Sequence, residues 1–237
     1  MDLCWAQGGK KEGREAGEPG EYWRCTLIEA ETRLRVGRGI GQDETEAAVN
    51  LWQQVKGRQA HCQTPPPLLS DGWGGHRQAL LEVYGQVPVY SGRGRPPSRK
   101  QPGSDWHYTQ MVKQRDATGH FIGVEIRVIY GDETTLTQTG ERTAYVERTN
   151  LTARQMNARL TRKTLGFSKH LSMLQAASVW EDMVYNLVRP LKTLRLEVND
   201  GQRRWQPVSP AMKAGLTDHL WSLAQLLMLV PIPTISI

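Results

Sequence analysis

Cysteine is scarce in this sequence, and the cysteines that are present do not form a framework. The chain contains three, Cys4, Cys25 and Cys62, and no two of them are spaced as a C-x-x-C pair. An odd number without paired spacing supports neither a disulfide-stapled fold nor a zinc ribbon. We therefore expect the protein to work in the reducing environment of a cytoplasm.

Long apolar runs and several common catalytic motifs are also missing. The longest apolar run, Leu226–Val230, is far below the roughly 18 residues that a membrane span requires, and residues 1–5 lack the features of a signal peptide. The sequence has no G-x-S-x-G or Cys–His arrangement and no G-x-x-x-x-G-K-S/T phosphate loop. These absences predict a soluble protein without a membrane partner, and they disfavour a serine or cysteine hydrolase.

Positive charge is a feature that the sequence does carry. Thirty lysine and arginine residues stand against 24 aspartate and glutamate residues, which gives a net charge of +6. This balance favours an acidic partner such as nucleic acid, although a basic protein without such a partner has a similar composition.

Hydrophobic patterning predicts an α/β fold that begins in the order β-β-β-α-β-α. A basic loop, residues 93–100, lies near the middle of the chain, and its prolines and glycines predict an irregular, solvated segment. The expected strands lie around Asp2 and at 22–28, 32–37, 68–70, 107–112 and 121–129, and the expected helices at 43–57, 75–84, 144–165, 171–189 and 216–230.

Three acids lie where these elements would expose them: Asp2 on the first strand, Asp71 after strand 68–70, and Glu147 near the start of the long helix. Such positions are typical of metal ligands and also of caps and surface charges, so spacing alone leaves both interpretations open. Carboxylates within ~4 Å of each other repel by several kcal/mol at an effective dielectric of about 20, so a cluster needs a cation. Hard oxygen ligands select Mg²⁺ or Mn²⁺, and a pair of such ions activates a hydroxyl or water against a phosphodiester.

The predicted long helix carries cations after its single acid. The sequence contains no acid between Glu147 and Glu181, whereas a solvated structural helix more commonly intersperses acids among its cations. Phosphate contacts explain this bias, and we expect the segment to bind DNA or RNA. The candidate contacts are Arg148, Asn150, Arg154, Arg159, Arg162, Lys163 and Lys169.

These acids and cations carry a resemblance to a known family. Glu147–Arg154, continued by Ala158–Leu160, Arg162–Thr164 and Phe167–Lys169, resembles the third catalytic block of the small bacterial DDE transposases grouped around Insertion Sequence 1. Ser70–Trp73 resembles the second block of that family. Asp2–Trp5, followed by Gly8–Lys11, resembles the first block, in which the catalytic aspartate precedes a tryptophan by three positions.

The resemblance implies an RNase H-like fold, with a mixed five-stranded sheet flanked by helices, both aspartates on adjacent strands and the glutamate on a covering helix. It implies a transposase whose Asp2, Asp71 and Glu147 hold two Mg²⁺ or Mn²⁺ ions for DNA cleavage and strand transfer. Element ends and target DNA would be its partners, and a homo-oligomer on DNA within the bacterial nucleoid is expected. The catalytic domain would cover residues 1–190, followed by a C-terminal extension, residues 191–237.

The sequence departs from the family pattern at its start. The family begins with a zinc-ribbon and helix-turn-helix region that binds terminal repeats, whereas this chain starts one residue before Asp2, and Leu3 stands where an acid commonly follows. We therefore expect an N-terminally truncated transposase. The alternative is a catalytically dead truncated transposase that acts as a DNA-binding inhibitor or is a relic.

Other residues of the kinds found in active sites are expected to have structural roles. Glu29 and Glu31 are expected to be solvated in a hairpin turn, although either could replace a missing ligand. Four histidines each lack a second His or Cys at ligand spacing, and we expect them to be structural or solvated: His76, His107, His120 and His219.

Overall fold

A computed structural model of the protein describes residues 2–6, 22–59, 63–92, 94–132, 144–161, 166, 168, 170–198, 201 and 203–229, without the side chains of residues 2–6, 144 and 146. The chain divides into two compact units. Residues 1–28 and 36–171 form the first unit, and residues 29–35 and 172–237 form the second.

The first unit begins with a three-stranded sheet in the order β1-β2-β3, formed by Asp2–Ala6, Tyr22–Ile28 and Arg35–Gly41. Strand β1 runs antiparallel to β2, with Asp2 opposite Thr26. The middle of β2 is buried at successive positions, because helix α1 (Glu44–Arg58) and helix α3 (Ala144–Met156) both pack against it. The predicted strand 22–28 is confirmed, and the predicted strand 32–37 begins later because a turn occupies residues 30–32.

Helix α1 follows its predicted pattern closely. Asp43 caps it by accepting a hydrogen bond from the Glu46 N–H at 2.8 Å. All five predicted apolar positions are buried: Ala47, Ala48, Leu51, Trp52 and Val55. Gly39 lets β3 pass against the first turns of this helix, because a Cβ atom there would lie 1.9 Å from the Ala47 carbonyl oxygen.

A second sheet has the order β4-β5-β6, formed by Leu68–Ser70, Tyr108–Arg115 and Phe121–Tyr130. Strand β4 is parallel to β5, with Ser70 opposite Gln110, and β5 and β6 form an antiparallel hairpin. Helix α2 (Gly75–Tyr84) follows β4 and packs against α1 around a core that includes Trp52, Tyr84 and Trp106.

The α/β class is confirmed, but the sheet arrangement differs from the expectation. Within the described ranges the strands form two three-stranded sheets and a short pair, β7 (Leu196–Glu197) with β8 (Trp205–Gln206), and not one five-stranded sheet. In this part of the chain β1 and β4 do not pair. Both strands are short, with five and three residues, so a ladder between them would contain few hydrogen bonds.

The second half of the chain contains shorter helices than predicted. The predicted helix 144–165 is wrong over residues 157–161, because Asn157 leaves the helical conformation and its side chain accepts a hydrogen bond from the Arg159 N–H. A short 3₁₀ turn follows at Ala158–Leu160. Residues 162–165 lie outside the described residues. Three further helices, α4 (Leu171–Met183), α5 (Pro210–Lys213) and α6 (Leu223–Leu229), follow, and α4 ends in a π turn, Val184–Val188. No helix in the described part is long and apolar enough to span a membrane.

Candidate active site

The turn after β4 is held by a buried polar network. The Ser70 hydroxyl donates to the Asp71 carbonyl oxygen at 2.8 Å and lies 2.9 Å from the Tyr108 hydroxyl. The Gln110 amide donates to the Tyr108 hydroxyl and to the Trp73 carbonyl oxygen. Burial raises the pKa of Tyr108 to about 12, so its hydroxyl keeps its proton. This network fixes the backbone that presents Asp71.

Asp71 is a half-exposed carboxylate with a buried histidine beside it. Its Oδ1 accepts a hydrogen bond from the Trp73 N–H at 3.1 Å and lies 3.7 Å from His76 Nε2. Burial by itself would raise the pKa of Asp71. The neighbouring His76 and the Trp73 N–H lower this pKa by a larger amount, so it lies below its usual value. Burial lowers the pKa of His76 despite the opposing effect of Asp71. At neutral pH the pair is therefore an aspartate beside a neutral imidazole.

Sequence reasoning assigned His76 only a structural or solvent role. The structure buries it completely in the first turn of α2, with its ring edge-on to Trp73 at 4.7 Å between ring centres. Its Nε2 lies 3.7 Å from Asp71 Oδ1, which is too long for a hydrogen bond. The burial of His76 against Trp73 therefore agrees with the predicted structural role.

Glu44 is a second acid whose electrostatic environment includes Asp71. Burial, followed by the negative charges of Asp71 and Asp43, raises the pKa of Glu44. Like charges that face each other in this way favour a bound cation. Glu44 is not among the acids predicted from the sequence, although it directly follows the capping residue Asp43.

Glu147 lies in the first turn of α3, and its half-exposed carboxylate forms an ion pair with Lys113. Lys113 follows Gln110 on β5 by three residues, and Gln110 is paired with Ser70. A Cβ atom on Gly72 would lie 2.9 Å from a Val112 methyl group, so the turn after β4 runs beside this part of β5. Glu147 is thus held, through Lys113, at the end of the sheet where Asp71 lies.

Asp2 is described only through its backbone. It lies at the start of β1, and α3, which carries Glu147, packs against β1 as well as β2. The described side chains contain no group of three His, Cys, Asp or Glu residues suited to a metal ion, and the Asp2 side chain is not among them. The described atoms therefore bring together Asp71 with His76, and Glu147 with Lys113.

The predicted DNA contacts differ in exposure. Arg148 is exposed, Arg154 and Arg159 are half-buried, and Asn150 is buried. An Arg159 guanidinium nitrogen lies 3.5 Å from the Ser168 hydroxyl. Three of the predicted contacts lie outside the described residues: Arg162, Lys163 and Lys169.

Glu29, His120 and His219 have local partners. Glu29 accepts hydrogen bonds from the Glu31 and Thr32 N–H groups and from the Thr32 hydroxyl, so it closes its own turn. His120 lies in the β5–β6 turn, and His219 contacts Asp218 at 2.7 Å and stacks on Trp221. These contacts account for the side chains without a ligand.

Comparison of the chain with protein-family models, with curated proteins and with solved structures gave no match.

Proposed function

We propose that this chain is the catalytic part of a DDE transposase with an RNase H-like arrangement, which cleaves DNA and joins strands using Asp2, Asp71 and Glu147. One observation carries the proposal. The Lys113–Glu147 ion pair holds the helical acid beside the part of β5 that extends beyond the end of β4, the strand that leads into Asp71. Helix α3 also packs on β1, the strand of Asp2.

The residues fit a hard divalent cation. Asp71 is ionised at neutral pH, and burial, followed by the negative charges of Asp71 and Asp43, raises the pKa of Glu44. A cation bound at Glu147 would take the place of the Lys113 ammonium group. Carboxylate oxygens select Mg²⁺ or Mn²⁺ over softer metals. When bound, two such ions would supply activation of the attacking hydroxyl and charge stabilisation of the leaving oxygen.

The protein's own residues position the reactants. The Trp73 N–H holds the Asp71 carboxylate in one orientation, with the neutral His76 ring beside it, and an oriented carboxylate binds a metal ion better than a mobile one. Lys113 and the exposed Arg148 place positive charge beside Glu147, where a DNA phosphate would lie. The partners are element ends and target DNA, and the active species is a homo-oligomer on DNA.

A strand-transfer assay tests the proposal. The full chain is incubated with a labelled duplex that carries a free 3′-hydroxyl, with target DNA, and with Mn²⁺ or Mg²⁺. We expect metal-dependent joined or nicked product, and a loss of nearly all product in Asp71→Asn with DNA binding retained. Glu125→Gln, which removes an exposed acid paired with Arg127 on β6, is the matched control and is expected to keep activity. DNA binding without any metal-dependent product would instead favour the inactive, DNA-binding alternative.

A further inference from the structure

The residues that flank the basic loop, residues 93–100, are held together by backbone hydrogen bonds. The Gln86 N–H donates to the Gln101 carbonyl oxygen at 3.1 Å, and the Gln101 N–H returns a bond to Gln86 at 2.9 Å. Lys100, at the end of the loop, also binds α2, because its ammonium group lies 2.8 Å from a carboxylate oxygen of Glu82. The loop therefore projects from a fixed stem.

The tip of the loop is open to solvent. Gly94, Arg95 and Pro96 are all exposed. The backbone turns at Gly92 and Gly94 with positive φ angles of 82° and 75°, and no atom lies within 4 Å of a Cβ position at either glycine. Among the described residues the Tyr90 hydroxyl contacts the Gly94 carbonyl oxygen, and the exposed Arg95 side chain is accessible to a ligand.

The charges of the loop have few partners within the chain. The sequence from 83 to 104 contains four cations and no acid. Arg95 and Arg99 form no hydrogen bond or ion pair with the residues that the structure describes. Folding does not need these guanidinium groups, so an anionic ligand is the natural reason for them.

A groove lies between the loop and α2. It has a volume of about 450 Å³, is lined by the cations Arg77, Arg99 and Lys100 and by the acid Glu82, and includes Gly74 just before α2. Gly74 follows Asp71 by three residues. A nucleic-acid backbone that lay along these cations would lead from the loop toward Asp71.

We propose that the basic loop inserts into the minor groove of A·T-rich duplex DNA, with Arg95 inside the groove and Arg77 and Arg99 on the adjoining phosphates. The segment Arg93-Gly94-Arg95-Pro96 has a glycine, which allows close approach of the backbone, between two arginines. Arg93 lies outside the described residues, so the argument depends on Arg95. The narrow minor groove of A·T tracts has an enhanced negative potential that attracts inserted arginine.

The shape of the tip favours this groove over other nucleic-acid surfaces. Reading of the major groove typically uses a helix or a two-stranded ribbon, and the tip contains neither. The Tyr90 hydroxyl donates to the Gly94 carbonyl oxygen, and binding of a single strand by stacking on this exposed ring is the alternative that the assay below separates. The inference deepens the proposed function, on which its DNA partner rests, by naming the target sequence class.

Fluorescence anisotropy with the full chain tests the inference. Three duplexes of equal length carry a central A·T, G·C or inosine·C tract, and inosine lacks the minor-groove amino group of guanine. We expect the A·T and inosine·C duplexes to bind about tenfold more tightly than the G·C duplex. Equal affinity for all three, an inosine·C affinity like that of G·C, or equally tight binding to single strands would overturn the inference.

Variants assign the preference to the loop. Arg95→Ala is expected to reduce the A·T preference to less than about threefold, because the inserted guanidinium carries it. Arg115→Ala removes an exposed arginine of β5 and is expected to keep the full preference. An Arg95→Ala chain with unchanged preference would contradict the inference. Glu147→Gln should retain the A·T preference, so loss of strand transfer and loss of target preference are separate results.

Discussion

Replacement of Arg35 by alanine is expected to destabilise the second unit strongly. The guanidinium group is buried, with a side-chain exposure of 1%, and it contacts the carboxylates of Glu181 and of Asp182, the latter at 3.0 Å. It also lies 3.9 Å from the centre of the Tyr185 ring. Removal leaves two buried acids without this cation, and breaking a buried ion pair from one side costs about 3–5 kcal/mol.

Urea denaturation followed by circular dichroism measures this loss. Arg204→Ala is the matched control in the same unit, because Arg204 pairs with Glu197 at the surface and an exposed pair contributes no more than about 1 kcal/mol. Addition of Glu181→Gln to Arg35→Ala should restore part of the stability, since it removes one of the two acids. A loss below about 1 kcal/mol in Arg35→Ala would refute the reasoning.

Three further predictions concern packing, pH and metal. Gly39→Ala should destabilise the chain by about 3 kcal/mol in denaturation experiments, because its Cβ would overlap the Ala47 carbonyl, whereas Gly57→Ala, with open space around it, should change stability by less than about 1 kcal/mol. Burial raises the pKa of Glu29, but hydrogen bonds from Thr32 and the neighbouring N–H groups lower it overall. The stability that the Glu29 carboxylate contributes is therefore present above its unfolded-state pKa and is lost as the pH falls through its lower folded-state pKa. Glu29→Gln should reduce the free energy of unfolding by about 1 kcal/mol at pH 7 and by much less near pH 3. An equal loss at both pH values would contradict this prediction. A hundredfold excess of Mn²⁺ over its Kd should stabilise the wild type by about 2.7 kcal/mol in thermal unfolding, and Asp71→Asn should lose most of that gain.

Local elements with strong signals were predictable from the sequence. Helix α1 has a capping acid, five apolar positions at helical spacing and nearby glycines, so every local preference indicates the same helix. The segment from β4 through Asp71 to α2 was also predicted with its observed bounds. Asn157 interrupts a segment whose composition favours helix, because its side chain competes for a backbone N–H, and spacing does not report that competition.

The contacts of the candidate site depend on how the elements pack, which the sequence does not encode locally. The Lys113–Glu147 pair joins a strand residue to a helix residue 34 positions later, so it depends on how α3 packs. Burial of His76 against Trp73 depends on how α2 packs. The acids themselves were predicted from their type and position, whereas their partners required the fold.

Strand transfer by wild type and Glu147→Gln in Mn²⁺ tests the central claim most directly. The same labelled 3′-hydroxyl duplex and target DNA are used for both chains, at equal DNA occupancy. The proposed role of Glu147 predicts product from the wild type and a loss of nearly all product in the variant, with binding to DNA unchanged. Equal product from the two chains would remove Glu147 from the chemistry and contradict the assignment of a DDE transposase.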